Sequence, residues 1–137
     1  MSRSRRHDEG QSMVEFAILL PILMAVVIGI FEFGRAWNTQ QVLTNAAREG
    51  VRLAVIPTSS LGDVQTAISN RLSEAGLNPG LGVMTVEGIG AGYGTPTSVS
   101  VSYPFEFTFL GPIVAFLGDG EGDTPGAITL NTEITMR

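Results

Sequence analysis

Between Met13 and Phe33 the chain carries only two charged residues, Glu15 and Glu32. As a helix rising about 1.5 Å per residue, this run spans roughly 30 Å, the thickness of a bilayer hydrocarbon core. Three arginines, Arg3, Arg5 and Arg6, and then Gly10 precede it. What remains for a water-soluble core, residues 35–137, is small, and a domain of that size gains from neighbours or from the membrane-proximal helix. The chain is therefore expected to be one long apolar helix joined to one small domain.

The charge distribution orients that helix. All eight basic residues are arginine and the formal net charge is −5. Without residues 1–10, five Arg face eleven Asp and Glu, a net of −6. The basic leader puts the N-terminus in the cytoplasm and the C-terminal part outside, because positive flanks stay inside. An acidic chain of this kind has no nucleic-acid signature. With no cysteine, disulfides, thiolate catalysis and Cys-based metal sites are excluded. The single histidine, His7, lies in the leader, so histidine-based acid–base or serine–histidine catalysis has no support in the rest of the chain. No carboxylate pair stands out, and the chain is read as not an enzyme.

A conventional secretory signal has a shorter apolar core and a small-residue cleavage site. Here Glu32-Phe33-Gly34-Arg35-Ala36-Trp37 follows the run, and Gly10 is the better place to cut. Glu15 needs an explanation, since a carboxylate at mid-bilayer costs about 2.5–3.5 kcal/mol. Two residues into the run it lies near the cytoplasmic edge and can reach the headgroups. The alternative begins with cleavage after Gly10, which creates a positive amine on Gln11, four residues before Glu15. In a bundle of such helices the amine of one subunit meets Glu15 of the next, and a paired buried charge fixes axial register. Pro21 removes a backbone donor and is expected to kink or loosen the helix. Gly29 and Gly34 are small positions suited to close helix approach.

Three segments together resemble the TadE-like family of minor pilins or pseudopilins of tight-adherence (Flp-type, type IV-like) pilus systems. They are Gly10-Gln11-Ser12-Met13-Val14-Glu15-Phe16-Ala17-Ile18-Leu19-Leu20-Pro21, Gly29-Ile30-Phe31-Glu32-Phe33-Gly34-Arg35-Ala36 and Leu43-Thr44-Asn45-Ala46-Ala47-Arg48-Glu49-Gly50-Val51-Arg52. The resemblance implies a prepilin peptidase that cuts after Gly10 and leaves Gln11 first. It implies Glu15 as the family's glutamate at the fifth mature position, with Phe16 where related major pilins usually carry tyrosine, as suits a minor subunit. Its implied partners are that peptidase, other pilin or pseudopilin subunits and the inner-membrane pilus assembly platform. The implied location is the cytoplasmic membrane, single-pass with the C-terminal domain outside, and an extracellular adhesive pilus after assembly.

The remaining sequence reads as an α+β, pilin-like chain. The expected divisions are a 1–10 cytoplasmic leader, an 11–34 transmembrane or filament-core helix, its 35–56 extension and a 57–137 extracytoplasmic domain. Trp37, Val42, Leu43, Ala46, Ala47, Val51 and Ala54 make an apolar stripe on the extension. Glu32–Arg35 and Glu49–Arg52 are i,i+3 pairs worth tenths of a kcal/mol each, and Arg48 and Arg52, one turn apart, are placed to meet lipid headgroups or a partner. Pro57 ends the helix. A second helix begins near Ser60, capped with Asp63, buries Val64, Ala67, Ile68, Leu72 and Ala75, and stops at Gly76 with Asn78-Pro79. Period-two alternation predicts strands around 83–87, 99–107 and 128–136, making an antiparallel sheet of about three strands packed on both helices. Pro104 lacks a ladder donor, so its strand is expected to be an edge or to bulge. Gly88 to Pro96 reads as a glycine-rich turn and Phe109 to Leu117 as a short helix or loop.

Gly118-Asp119-Gly120-Glu121-Gly122-Asp123 offers Asp119, Glu121 and Asp123 as alternate oxygen ligands for calcium, although it is not the twelve-residue calcium loop. Acidic glycine-rich turns are usually solvated, and no cofactor is expected. Gly88-Ile89-Gly90-Ala91-Gly92 precedes a strand, not a helix, and is not a phosphate loop. Two other readings stay open: an uncleaved single-pass anchor displaying a small extracytoplasmic binding domain, and a secreted protein released near Ala36.

Overall fold

The computed structural model describes residues 5–90, 94–109 and 127–136, with side chains from Gly10 onward. It is the α+β arrangement expected from the sequence. Helix α1 (Arg5–Ala54) runs unbroken for 50 residues, roughly 75 Å. Helix α2 (Leu61–Glu74) follows. A 3-10 turn (Pro79–Leu81) leads into strands β1 (Val83–Glu87), β2 (Thr97–Glu106) and β3 (Ala127–Met136). The sheet is antiparallel in the order β1-β2-β3.

The boundaries follow from local chemistry. Val55 and Ile56 close the end of α1 through backbone bonds to Val51 and Leu53, and Gly90 N–H donates to the Ala54 carbonyl. Ser60 caps α2: its hydroxyl accepts from Asp63 N–H, and the Asp63 carboxylate accepts from Ser60 N–H and Oγ. This reciprocal box satisfies two otherwise orphaned donors, and the bonds from Ser60 hold the Asp63 carboxyl below its ordinary value. At the other end, Leu77 N–H reaches Leu72 O and Gly76 N–H reaches Ser73 O, with Gly76 at φ +77°. That is the paired bonding of a left-handed helix stop, where a side chain on Gly76 would be strained.

One face of the sheet builds the core. Val99, Val101, Tyr103 and Phe105 of β2 are buried. The register places Val99 opposite Val86 and Ile134, and Val101 opposite Met84 and Thr132. Against this face pack Leu43, Ala46, Ala47, Val51 and Ala54 of α1 and Val64, Ile68 and Leu72 of α2, all fully buried except the half-covered sheet margins. Each large aliphatic side chain contributes about 1.5–3 kcal/mol by leaving water. The opposite face carries the serines of β2, Ser98, Ser100 and Ser102. A polar seam docks β3 on α1: Gln40 Nε2 donates to Asn131 O (3.0 Å) and Thr132 Oγ1 (2.7 Å), and Thr44 Oγ1 lies 3.4 Å from Thr132 Oγ1.

Three expectations are corrected here. Trp37 is outside the core, because the helix turns it away from the sheet and its ring stays exposed. Ala75 is exposed as well, since it is the C-cap residue of α2, where the chain leaves the helix beside an open groove. The strand with Pro104 is the central one. β1 pairs only with residues 98–102 of β2, so Pro104 lies beyond that pairing and faces Thr129 of β3 alone. The missing donor is tolerated because on one side the strand is locally an edge.

Gly50 explains the small residues of α1. A Cβ there would stand 2.7 Å from Ile68 Cδ1, 2.9 Å from Ile68 Cγ1 and 3.3 Å from Val99 Cγ1. Gly50→Ala gains about 1 kcal/mol of helix propensity and loses about 1–3 kcal/mol to overpacking. The expected outcome is a net loss of stability in thermal unfolding, relieved when Ile68→Val is added.

Candidate functional site

The features that carry function lie along α1. From Met13 to Phe31 its large apolar side chains, the half-buried Ile28 apart, are exposed to surroundings the fold itself does not supply. By length and composition the helix can cross a membrane. Pro21 sits inside it without interrupting the helix, as membrane helices permit when local adjustments satisfy the freed carbonyl. Gly10 is exposed, with nothing near the position a Cβ would take. Gln11 and Glu15 are one turn apart, and Gln11 Nε2 donates to Glu15 Oε1 at 3.0 Å. Phe16 is exposed beside them. The structure therefore brings Gln11 and Glu15 together at the start of the apolar run and sets Pro21 farther along it. The candidate calcium residues Asp119, Glu121 and Asp123, and residues 110–117 of the apolar segment expected as a short helix or loop, lie outside the described residues.

A second centre sits where α1 enters the head, and the sequence reading understated it. Glu32 is not on a solvated helix face: its side chain is 0% exposed. Its Oε2 accepts from Arg35 Nη1 at 2.7 Å and its Oε1 from the backbone N–H of Phe109 at 2.9 Å. Arg35 also donates to Thr108 Oγ1 at 2.8 Å and lies 5.2 Å from the centre of the Phe105 ring. Phe105 meets Phe107 edge-on at 5.4 Å. Both oxygens of a buried carboxylate are thus occupied, as its burial requires. The result ties the end of β2 to α1. The one legible hint was a charged i,i+3 pair closing an apolar run. Phe109, 77 residues away, gave no sign in the sequence.

Farther up α1 an open groove of about 670 Å³ lies between α1 and α2, with Arg48, Arg52 and Arg71 beside Glu49 and Glu74. Glu49 accepts from Arg52 Nη2 at 2.7 Å and Nε at 3.2 Å, and Arg71 pairs with Glu74 at 3.2 Å. The Arg52 bond holds the Glu49 carboxyl below its ordinary value against a smaller opposing effect of burial. These exposed pairs are worth little, as expected for Glu49–Arg52 from its spacing.

The junction makes a clear energetic demand. Arg35→Met strands the Glu32 charge with only the Phe109 N–H, at a cost of about 2–3 kcal/mol. In a Glu32→Gln background the same change is expected to cost much less, because no buried charge remains. Thermal unfolding of the four detergent-solubilised proteins measures this coupling.

Compared with known families, residues 10–52 match the family described as TadE-like protein. Neither curated proteins nor solved structures yield a match. The matched segment begins at Gly10, contains Gln11, Glu15, Pro21, Glu32, Arg35 and Gly50, and stops two residues before α1 ends. The likeness is confined to α1 and covers less than a third of the chain.

Proposed function

We propose that the chain is a minor pilin or pseudopilin that inserts with its N-terminus in the cytoplasm, is cut after Gly10 by a prepilin peptidase, and enters a type IV-like adhesive pilus through α1. Its role is structural, not enzymatic. The observation that carries this reading is the lower half of α1, whose apolar side chains are exposed all round while one carboxylate, Glu15, stands at its start. Such a surface requires lipid first and neighbouring helices afterwards. Both environments accept an apolar helix, and only the second gives Glu15 a lasting partner.

Cleavage moves the positive charge to Gln11, whose side chain already reaches Glu15 within one subunit. In an assembly the new amine of one subunit pairs with Glu15 of its neighbour. A carboxylate left alone in an apolar bundle is costly, so the pair selects one axial offset over others. Gly29 and Gly34, which have open space where a Cβ would stand, permit close approach of neighbouring helices. The partners are the peptidase, other pilin or pseudopilin subunits and the inner-membrane assembly platform. The head remains outside the cytoplasm.

The intact mass and N-terminal sequence of membrane-extracted protein, from cells with and without the peptidase, test the processing step. A chain beginning at Gln11 only when the peptidase is present is the expected result. A chain that keeps Arg3, Arg5 and Arg6 in both cells would instead mark an uncleaved anchor. Glu15→Gln is expected to leave membrane insertion intact and reduce incorporation into pili; normal incorporation, scored by immunoblot of sheared fibres, removes the register role.

A further inference from the structure

Where α1 enters the head, three aromatic side chains remain uncovered. Phe33 is 67% exposed, Trp37 59% and Phe109 51%. The Phe33 and Trp37 rings stack, with centres 6.3 Å apart and planes at 27°. Phe109 is held at the level of Glu32 by its backbone N–H. At about 100° per residue, Phe33 and Trp37 lie about 100–140° around the helix from Glu32. The Phe33–Trp37 stack and the backbone amide of Phe109 therefore stand on different sides of α1, within about 8 Å of each other along its axis. Above them, Leu43 and the following core residues of α1 are enclosed; below them, the large apolar side chains are exposed.

Length places these rings. A hydrocarbon core of about 30 Å entered at Met13 is left about 20 residues later, at Glu32–Phe33. Trp37 then stands about 6 Å farther on, at headgroup depth. Indole rings prefer that depth, where the ring meets apolar matter and the N–H meets water. Glu32 lies at the same boundary, and its burial with Arg35 and the Phe109 amide keeps its charge out of the lipid.

We propose that the underside of the head is a membrane-interface surface. The Phe33–Trp37 stack and Phe109 seat in the outer headgroup layer before assembly, and the Glu32–Arg35–Phe109 junction holds the head at that depth. This rests on the membrane-spanning reading above. Lipid is the occupant because the aromatic surface follows directly on the exposed apolar run of α1 and begins where one bilayer thickness ends. Arg48 and Arg52 stand about 22 and 28 Å beyond Phe33 along the helix, too far for the same headgroups, so the groove they line faces water or protein.

Trp37 is the only tryptophan in the chain, which makes the proposal directly readable. The full chain is reconstituted in phosphatidylcholine vesicles that carry brominated lipids labelled either near the headgroup or deep in the acyl chain. The expected result is blue-shifted Trp37 emission, quenched more by the shallow label than by the deep one. A second protein, Trp37→Phe with Phe109→Trp, reads the other flank and is expected to behave the same way. Water-like emission that neither label quenches overturns the proposal. So does stronger quenching by the deep label, or blue-shifted emission that neither label touches, which would mark a protein contact. Vesicle flotation separates the two readings. Protein that fails to float removes the spanning helix itself, whereas protein that floats with Trp37 unquenched removes only the interface surface.

Discussion

One helix has to satisfy two solvents. The backbone of α1 continues without a break from Arg5 to Ala54, yet the surroundings its side chains demand change completely near Glu32. Below that point, large aliphatic and aromatic groups are exposed around the whole circumference. Above it, small residues and a narrow apolar stripe face a sheet and a second helix. A helix satisfies its own backbone hydrogen bonds in either environment, so nothing in the main chain has to mark the change. The side chains alone divide the part that seeks lipid or helical neighbours from the part that organises a folded head.

That division explains the composition of the upper half. Ala46, Ala47, Gly50 and Ala54 contribute little buried area themselves, but they let α2 and β2 come close enough for Leu43, Val51, Ile68, Leu72, Val99 and Val101 to form one core. Gly50 is the tightest point, with Ile68 and Val99 occupying the space a side chain would need. A domain this small has few large side chains to bury, so close approach matters more than side-chain volume on α1. The polar seam of Gln40, Thr44 and Thr132 adds direction, since hydrogen bonds fix where β3 lies along the helix while apolar contact alone would allow sliding.

The junction at Glu32 joins these two halves mechanically. An exposed glutamate on an apolar helix is a solvation problem; enclosed with Arg35 and a main-chain amide, it becomes a tether between α1 and the end of β2. The unbroken α1, whose upper half lies in the core, sets the orientation of the head, and the charged contact pins the end of β2 to that helix where the surroundings change.

Much of this arrangement was legible in one dimension. The apolar run, the Gly10–Glu15 spacing, the Ser60–Asp63 cap, the stop at Gly76 and the three alternating strands all depend on residues close together in the chain, and local chemistry determines local structure. Trp37 and Pro104 depart from expectation, and the burial of Glu32 was not foreseen, for one common reason. Whether a helical side chain faces the core, whether a strand is central, and whether a carboxylate is solvated are decided by what packs against them from far away. Trp37 fitted an apolar stripe by spacing, but the sheet covers a different side of the helix. Pro104 tolerates a central strand because β1 is too short to reach it. The sequence by itself determined the elements, their order and the charge asymmetry of the long helix. Only the tertiary structure decided the burial of Glu32, because its partner Phe109 is brought to it by the path of the sheet and not by any nearby residue.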